Sequence, residues 1–151
     1  MEASSYDRAM PIEILAFTPA DIPEALELWR RTEGVGLFGE TPDQLASCLD
    51  RNPGLSFIAR DGGVLVGAVL GTHDGRRGFV HHLAVAASHR RCGIGGRLVG
   101  QCLAELRRLG IPRCHLFVHR HNDDALEFWS HSGWSRRDDV IMMSRTLSPE
   151  S

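Results

Sequence analysis

The segment Arg90-Arg91-Cys92-Gly93-Ile94-Gly95-Gly96 packs three glycines and two arginines between a strand-like run and an amphipathic helical pattern. Glycine lets the backbone wrap closely around a ligand. The first turn of the following helix then presents unpaired N–H groups and the positive end of its dipole to an anion. This composition and context predict a phosphate cradle. Just upstream, His81 and His82 fall on the strand-like run. An unperturbed imidazole, with a pKa near 6.5, is suited to taking a proton at neutral pH. Strand alternation sends His81 to the face of Phe79 and Leu83, and His82 to that of Val80 and Ala84, so only one can easily face a substrate.

The kind of phosphate site follows from what the segment lacks. A nucleoside-triphosphate loop ends in Gly-Lys-Ser/Thr, whereas Gly96 is followed by Arg97 and Leu98. A dinucleotide fingerprint starting at Gly93 needs glycine or alanine at position 98, which is leucine. Cys92 reads either as a thiol activated by a helix N-terminus or as a small packed side chain. Eight histidines raise the question of a metal, with His115, His119 and His121 the densest group. No cysteine or carboxylate completes a tetrahedral set around them, so no metal is predicted.

Several elements must position these residues. Ile12 to Phe17 reads as a strand, and Asp21 with Glu24 resembles a capping box opening a helix over Ala25, Leu28 and Trp29. Thr41, Pro42 and Gln44 repeat that signal before Leu45, Cys48 and Leu49, leaving Gly34 to Gly39 as a linker that could move. Leu55 to Arg60 and Val64 to Gly71 form two strands around Asp61-Gly62-Gly63, a hairpin signal. A strand over Gly78 to Ala86 leads into the glycine segment and a helix carrying Ile94, Leu98, Cys102 and Leu106 on one side. Gly110 and Pro112 end that helix, His115 to Val118 is a short strand, and Asn122-Asp123 opens a last helix stopping near Gly133. Residues 139–147 supply a final strand. The order implies an α/β fold built on a mixed sheet.

A chain of 151 residues fits one ordinary domain, assigned to residues 11–151, with residues 1–10 as a flexible leader. The formal charge of −2 gives no global reason to bind nucleic acid or an acidic membrane surface. No apolar run approaches the roughly 18 residues of a membrane span. Cys48, Cys92, Cys102 and Cys114 are spaced neither as metal pairs nor as a disulfide framework, so the chain reads as reduced and cytoplasmic.

Arg90, Gly93 and Gly95 match Q/R-x-x-G-x-G/A, and Asn122, Ala125, Phe128, Gly133 and Trp134 match much of N-x-x-A-x-x-F-Y-x-x-x-G-F. Together the two motifs resemble the GCN5-related N-acetyltransferase (GNAT) superfamily. The resemblance implies a mostly antiparallel sheet of about six to seven strands, with helices on both faces and a splay between strands 4 and 5. Acetyl-CoA would be the cosubstrate. Its pantetheine arm would pair with Leu83, Ala84 and Val85, its pyrophosphate would rest on N–H groups from Arg91 through Cys92, Gly93, Ile94 and Gly95 to Gly96, and its 3′-phosphate would meet Arg90 and Arg91. Asn122 would bond pantetheine, cap its helix, or do both.

Two departures stand out from the family pattern. Phe79 and Arg77 stand nearest the position of the usual strand glutamate, which leaves His81, on the same face, ahead of His82 as general base; Asp74 and Glu33 are weaker candidates. Trp129 replaces the motif tyrosine that would protonate the departing thiolate. Indole cannot act as that acid, though its N–H can donate to sulfur, and water or Ser130 could supply the proton. The alternative reading of Trp129, placed ahead of a sulfur contact, is core packing on an amphipathic helix.

The acceptor would be a primary amine of a small molecule or protein, attacked directly in a ternary complex. It would sit near Gly34 to Glu40, with Leu37 and Phe38 as an apolar wall and Glu33 and Glu40 attracting a cation. The resemblance also suggests a homodimer. The alternative is a non-catalytic acyl-CoA-binding or regulatory domain.

Overall fold

The computed structural model describes residues 11–37 and 39–148. Residues 1–10, read above as a leader, and Phe38 lie outside the described residues. The chain divides into two compact units, Met1–Phe117 and Val118–Ser151.

The first unit runs β1 (Glu13–Ala16), a 3-10 turn, α1 (Ile22–Arg30), α2 (Pro42–Arg51), β2 (Phe57–Asp61), β3 (Val64–His73), β4 (Gly78–Val85), a second 3-10 turn, α3 (Ile94–Arg108) and β5 (Cys114–His115). The strands lie in the order β1-β2-β3-β4-β5. The first three pairings are antiparallel and the last is parallel. Gly62 and Gly63 take positive φ at the β2–β3 turn, as their spacing predicts.

The central strand β3 is buried along most of its length, which explains its nearly unbroken apolar sequence. Ala68 joins Leu26, Trp29 and Leu45 in the cluster beneath α1 and α2. Neighbouring Gly67 faces the other way, where a Cβ would come within 3.0 Å of Leu98 and 3.3 Å of Ile94. Glycine there lets α3 settle against the sheet, so helices cover both faces. Full burial of side chains such as Trp29, Leu28 and Leu98 contributes about 1.5–3 kcal/mol each.

Local signals fix the helix entries. Thr41 and Gln44 close a reciprocal capping box, each backbone N–H donating 3.1 Å to the other's side chain. The box expected between Asp21 and Glu24 does not form. Asp21 instead accepts the Thr18 N–H at 2.9 Å, and both carboxylates clamp Arg60 of β2, at 2.8 and 2.7 Å.

In the second unit, α4 (Asp123–His131) is capped by Asn122, whose Oδ1 accepts the Ala125 N–H at 3.1 Å. The strand expected over residues 139–147 does not form. The described sheet therefore has five strands rather than six or seven. Val140, Ile141, Met142, Met143 and Leu147 are exposed, so the apolar residues that suggested a strand lack the burial that would stabilise one. Among the described residues no helix is long and apolar enough to cross a membrane.

Candidate functional site

The glycine segment folds as a left-handed turn feeding α3. Arg91 has φ 65° and Gly93, the residue before the helix, φ 79°. Two left-handed residues within three positions build the kind of turn whose N–H groups converge on an anion. The first intrahelical bond is Arg97 N–H to Gly93 O, so the N–H groups of Ile94, Gly95 and Gly96 precede the helical ladder. No side chain caps this end. A Cβ built on Gly93 or Gly96 meets nothing within 4 Å, so the space over the turn is open, as a phosphate requires. Buried Ile94 pins the turn to the sheet. The Arg90 Nε donates 3.0 Å to the Val85 carbonyl, folding this guanidinium onto the end of β4, while Arg91 and Cys92 are exposed.

Upstream of this turn β4 has an open edge. It pairs with β5 only at Gly78 with Cys114 and Phe79 with His115. From Val80 to Val85, including Leu83 and Ala84, β4 has no β5 partner, which is the splay expected between strands 4 and 5. An extended chain can add to such an edge through backbone hydrogen bonds.

Strand β4 also contains an irregularity that alternation cannot foresee. Opposite Ala68 and Leu70, two residues apart on β3, stand Ala84 and His81, three apart on β4. The extra residue is a β-bulge, with His82 at φ 56°. A left-handed non-glycine residue costs roughly 1–2 kcal/mol. The bulge corrects the expectation that only one histidine can face a substrate: His81 and His82 line a single cavity of about 270 Å³ with Glu40, Leu45, Leu70 and Thr72.

The two imidazoles differ in their surroundings. His81 stacks on Phe79 at 5.9 Å between ring centroids and on Phe117 at 6.5 Å, with Thr72 Oγ1 3.5 Å from its Nε2. Burial, reinforced by neighbouring His82, holds its pKa below the ordinary imidazole value, so His81 is neutral at physiological pH. His82 packs edge-on against Trp29 at 5.1 Å, its carbonyl accepts the Trp29 indole N–H at 2.6 Å, and its Nε2 lies 3.0 Å from Glu40 Oε2.

Glu40 and Trp29 are the residues whose part in the site sequence reasoning missed. From the sequence Glu40 reads only as an attractor of cations and Trp29 only as part of the first helix, because their contacts span 42 and 53 residues of chain. Asp74 is occupied elsewhere, accepting the Arg76 and Arg77 N–H groups at 2.9 Å each in the β3–β4 turn. Glu33 is exposed.

In the second unit Asn122 serves as the α4 cap. Trp129 packs edge-on against Phe128 at 4.9 Å and Trp134 at 5.4 Å. Among the described residues no group of three His, Cys, Asp or Glu side chains is arranged to hold a metal ion. All four cysteines are free, and burial pushes Cys102 up to about 12 and Cys114 up to about 11.

Known proteins share both the pattern and the fold. An acetyltransferase of Sodalis glossinidius is 26% identical over 136 residues, covering 90% of this chain and 96% of that protein. The crystal structure of PaiA N-acetyltransferase from Thermoplasma acidophilum in complex with coenzyme A superposes with a TM-score of 0.76 at 19% identity, covering 87% and 94% of the two chains. An aminoglycoside N-acetyltransferase in complex with CoA gives a TM-score of 0.72 at 16% identity, covering 91% and 97%. Residues 22–134, from α1 through the Asn122–Trp134 motif, match the acetyltransferase (GNAT) family. With three-quarters of its length inside that match, the chain belongs to the acetyltransferase (GNAT) family and uses acetyl-CoA as cosubstrate.

Proposed function

We propose that this protein transfers the acetyl group of acetyl-CoA to a primary amine of a small molecule or protein, by direct attack in a ternary complex. The observation that carries the reading is the position of β4. One end of its open edge reaches the N–H turn before α3, and its bulge presents two imidazoles to one cavity. Backbone groups of Leu83, Ala84 and Val85 would hold the pantetheine arm. The turn from Arg91 to Gly96 would hold the pyrophosphate, each charge-assisted bond contributing about 1.5–3 kcal/mol.

A protonated amine with a pKa near 10.4 must first lose its proton, which costs about 4–5 kcal/mol at pH 7. His81 and His82 are the groups offered to accept it. The neutral amine then forms the C–N bond at the thioester carbonyl, the C–S bond breaks, the nitrogen gives up its second proton to solvent, and the thiolate takes one from solvent or a nearby hydroxyl. By motif position, Asn122 and Trp129 belong to the proposal as contacts of pantetheine and sulfur. The aminoglycoside enzyme among the neighbours supports a small-molecule amine, and the four free cysteines support a reducing, cytoplasmic setting.

A second reading, a non-catalytic acyl-CoA-binding domain, is favoured by Trp129 standing where the family motif has tyrosine. Incubation with acetyl-CoA and a broad amine panel, read by thiol release, separates the two. Turnover on at least one amine supports transfer. Tight CoA binding without turnover on any amine supports the second reading.

A further inference from the structure

We propose that Glu40 and His82 form a base dyad, in which the carboxylate holds the imidazole with its proton on Nε2 and leaves Nδ1 to accept the proton of the acceptor amine. The inference rests on the transferase reading above and deepens it. It makes His82 the catalytic base, Glu40 its positioning residue and His81 a wall of the cavity.

Three observations converge on this assignment. First, His82 is held from every side: the bulge sets its backbone at φ 56°, the Trp29 indole N–H takes its carbonyl, the Trp29 ring abuts its own, and Glu40 takes its Nε2. A base fixed in this way needs little reorganisation when the substrate arrives. Second, Glu40 Oε1 is buried with no hydrogen-bond partner among the described residues. An unsatisfied buried acceptor is costly, so His82 is the donor on which this carboxylate depends, and its proton belongs on Nε2. The hydrogen bond made by one ring nitrogen decides what the other can do, and no described residue bonds Nδ1. Third, among the described residues no carboxylate hydrogen-bonds His81. This imidazole packs beside Phe79 and Phe117, whose own rings lie 6.1 Å apart, and its polar contact to Thr72 is 3.5 Å long.

The test combines kinetics with ¹⁵N NMR of histidine-labelled protein. The amine probes are phenethylamine, an alanine-initiated peptide and kanamycin, each with acetyl-CoA. Glu40→Gln is expected to lower kcat about 100-fold or more, within the range of general base catalysis, while leaving KM for acetyl-CoA within about threefold, because the cradle lies elsewhere in the fold. His82→Asn should do the same; asparagine tolerates the left-handed backbone that alanine would strain. His81→Phe should cost less than about tenfold.

In the wild-type protein the His82 signal, assigned by its loss in His82→Asn, should show a protonated Nε2 and an unprotonated Nδ1. Glu40→Gln should weaken that tautomer preference. A wild-type Nδ1–H tautomer, or full turnover in Glu40→Gln, overturns the dyad while leaving the transferase reading standing. CoA binding without wild-type turnover on any probe or on the wider panel overturns both.

Discussion

The indole Nε1 of Trp29, on the first helix, donates a 2.6 Å hydrogen bond to the carbonyl oxygen of His82, at the left-handed residue of the β4 bulge. The bond reaches across 53 residues, from the centre of the core to the wall of the cavity. Trp29 is fully buried and stacks at a tilt on Phe17, 6.0 Å away, so it anchors the bulge to the buried core of the unit. A backbone conformation costing roughly 1–2 kcal/mol is thereby held, and with it the direction of an imidazole.

Trp29→Phe keeps most of the buried area but removes the indole N–H. The His82 carbonyl then loses its partner, and unfolding in urea should show a loss of about 1–3 kcal/mol. Turnover should fall by a larger factor than the CoA affinity, because the bulge rather than the cradle is released. Equal losses in both would show that Trp29 supports the fold as a whole.

Gly96→Ala separates ligand binding from stability. Gly96 lies in the first turn of α3 and a Cβ there touches nothing in the protein, so alanine should raise helix stability by roughly 0.5–1 kcal/mol. The same methyl would occupy the space over the turn, and calorimetric affinity for CoA should drop about tenfold or more, equivalent to some 1.4 kcal/mol. Gly93→Ala should lose both, since its φ of 79° strains any side chain. Unchanged CoA affinity in Gly96→Ala would place the pyrophosphate elsewhere.

His81 makes stability fall in acid. Burial lowers its pKa in the folded protein, so as pH falls through about 6.5 the unfolded chain takes up a proton that the folded chain still refuses. Stability is therefore fully present above that value and declines until the folded-state imidazole itself titrates. Thermal melts at pH 8 and pH 5.5 should show this decline, and His81→Phe should make it shallower. A variant with the wild-type slope would assign the acid sensitivity to other groups.

Thiol labelling should report the same architecture. Cys92 is exposed on the turn, Cys102 is buried with its thiol donating to the Leu55 carbonyl at 3.2 Å, and burial holds the Cys102 and Cys114 thiols protonated. Since thiolate is the reactive form, iodoacetamide at pH 8 should modify Cys92 first and Cys102 only on unfolding. Saturating CoA should slow modification of Cys92. Labelling indifferent to CoA would argue against a ligand seated on the turn.

Much of the fold was legible because its determinants are local. The Thr41–Gln44 box, the Gly62-Gly63 turn and the α3 register each depend on residues a few positions apart, where spacing dictates backbone geometry. The same holds for the glycine turn and the two motifs, whose residue types and short spacings pointed to the family and its cosubstrate. Residues 139–147 show the limit of local reading: apolar, strand-forming side chains do not make a strand without a surface to bury them.

The cavity was decided by tertiary contacts. Alternation placed His81 and His82 on opposite faces, and the bulge brought both into one cavity because β4 carries one more residue than β3 opposite it. The choice between them, and the role of Glu40, depends on contacts closed across 42 and 53 residues. The amino-acid sequence alone determined the left-handed glycine turn that opens α3, since a few adjacent residues create it. Only the folded chain decided which imidazole is oriented, because that orientation comes from a carboxylate and an indole that the sheet and two helices bring together.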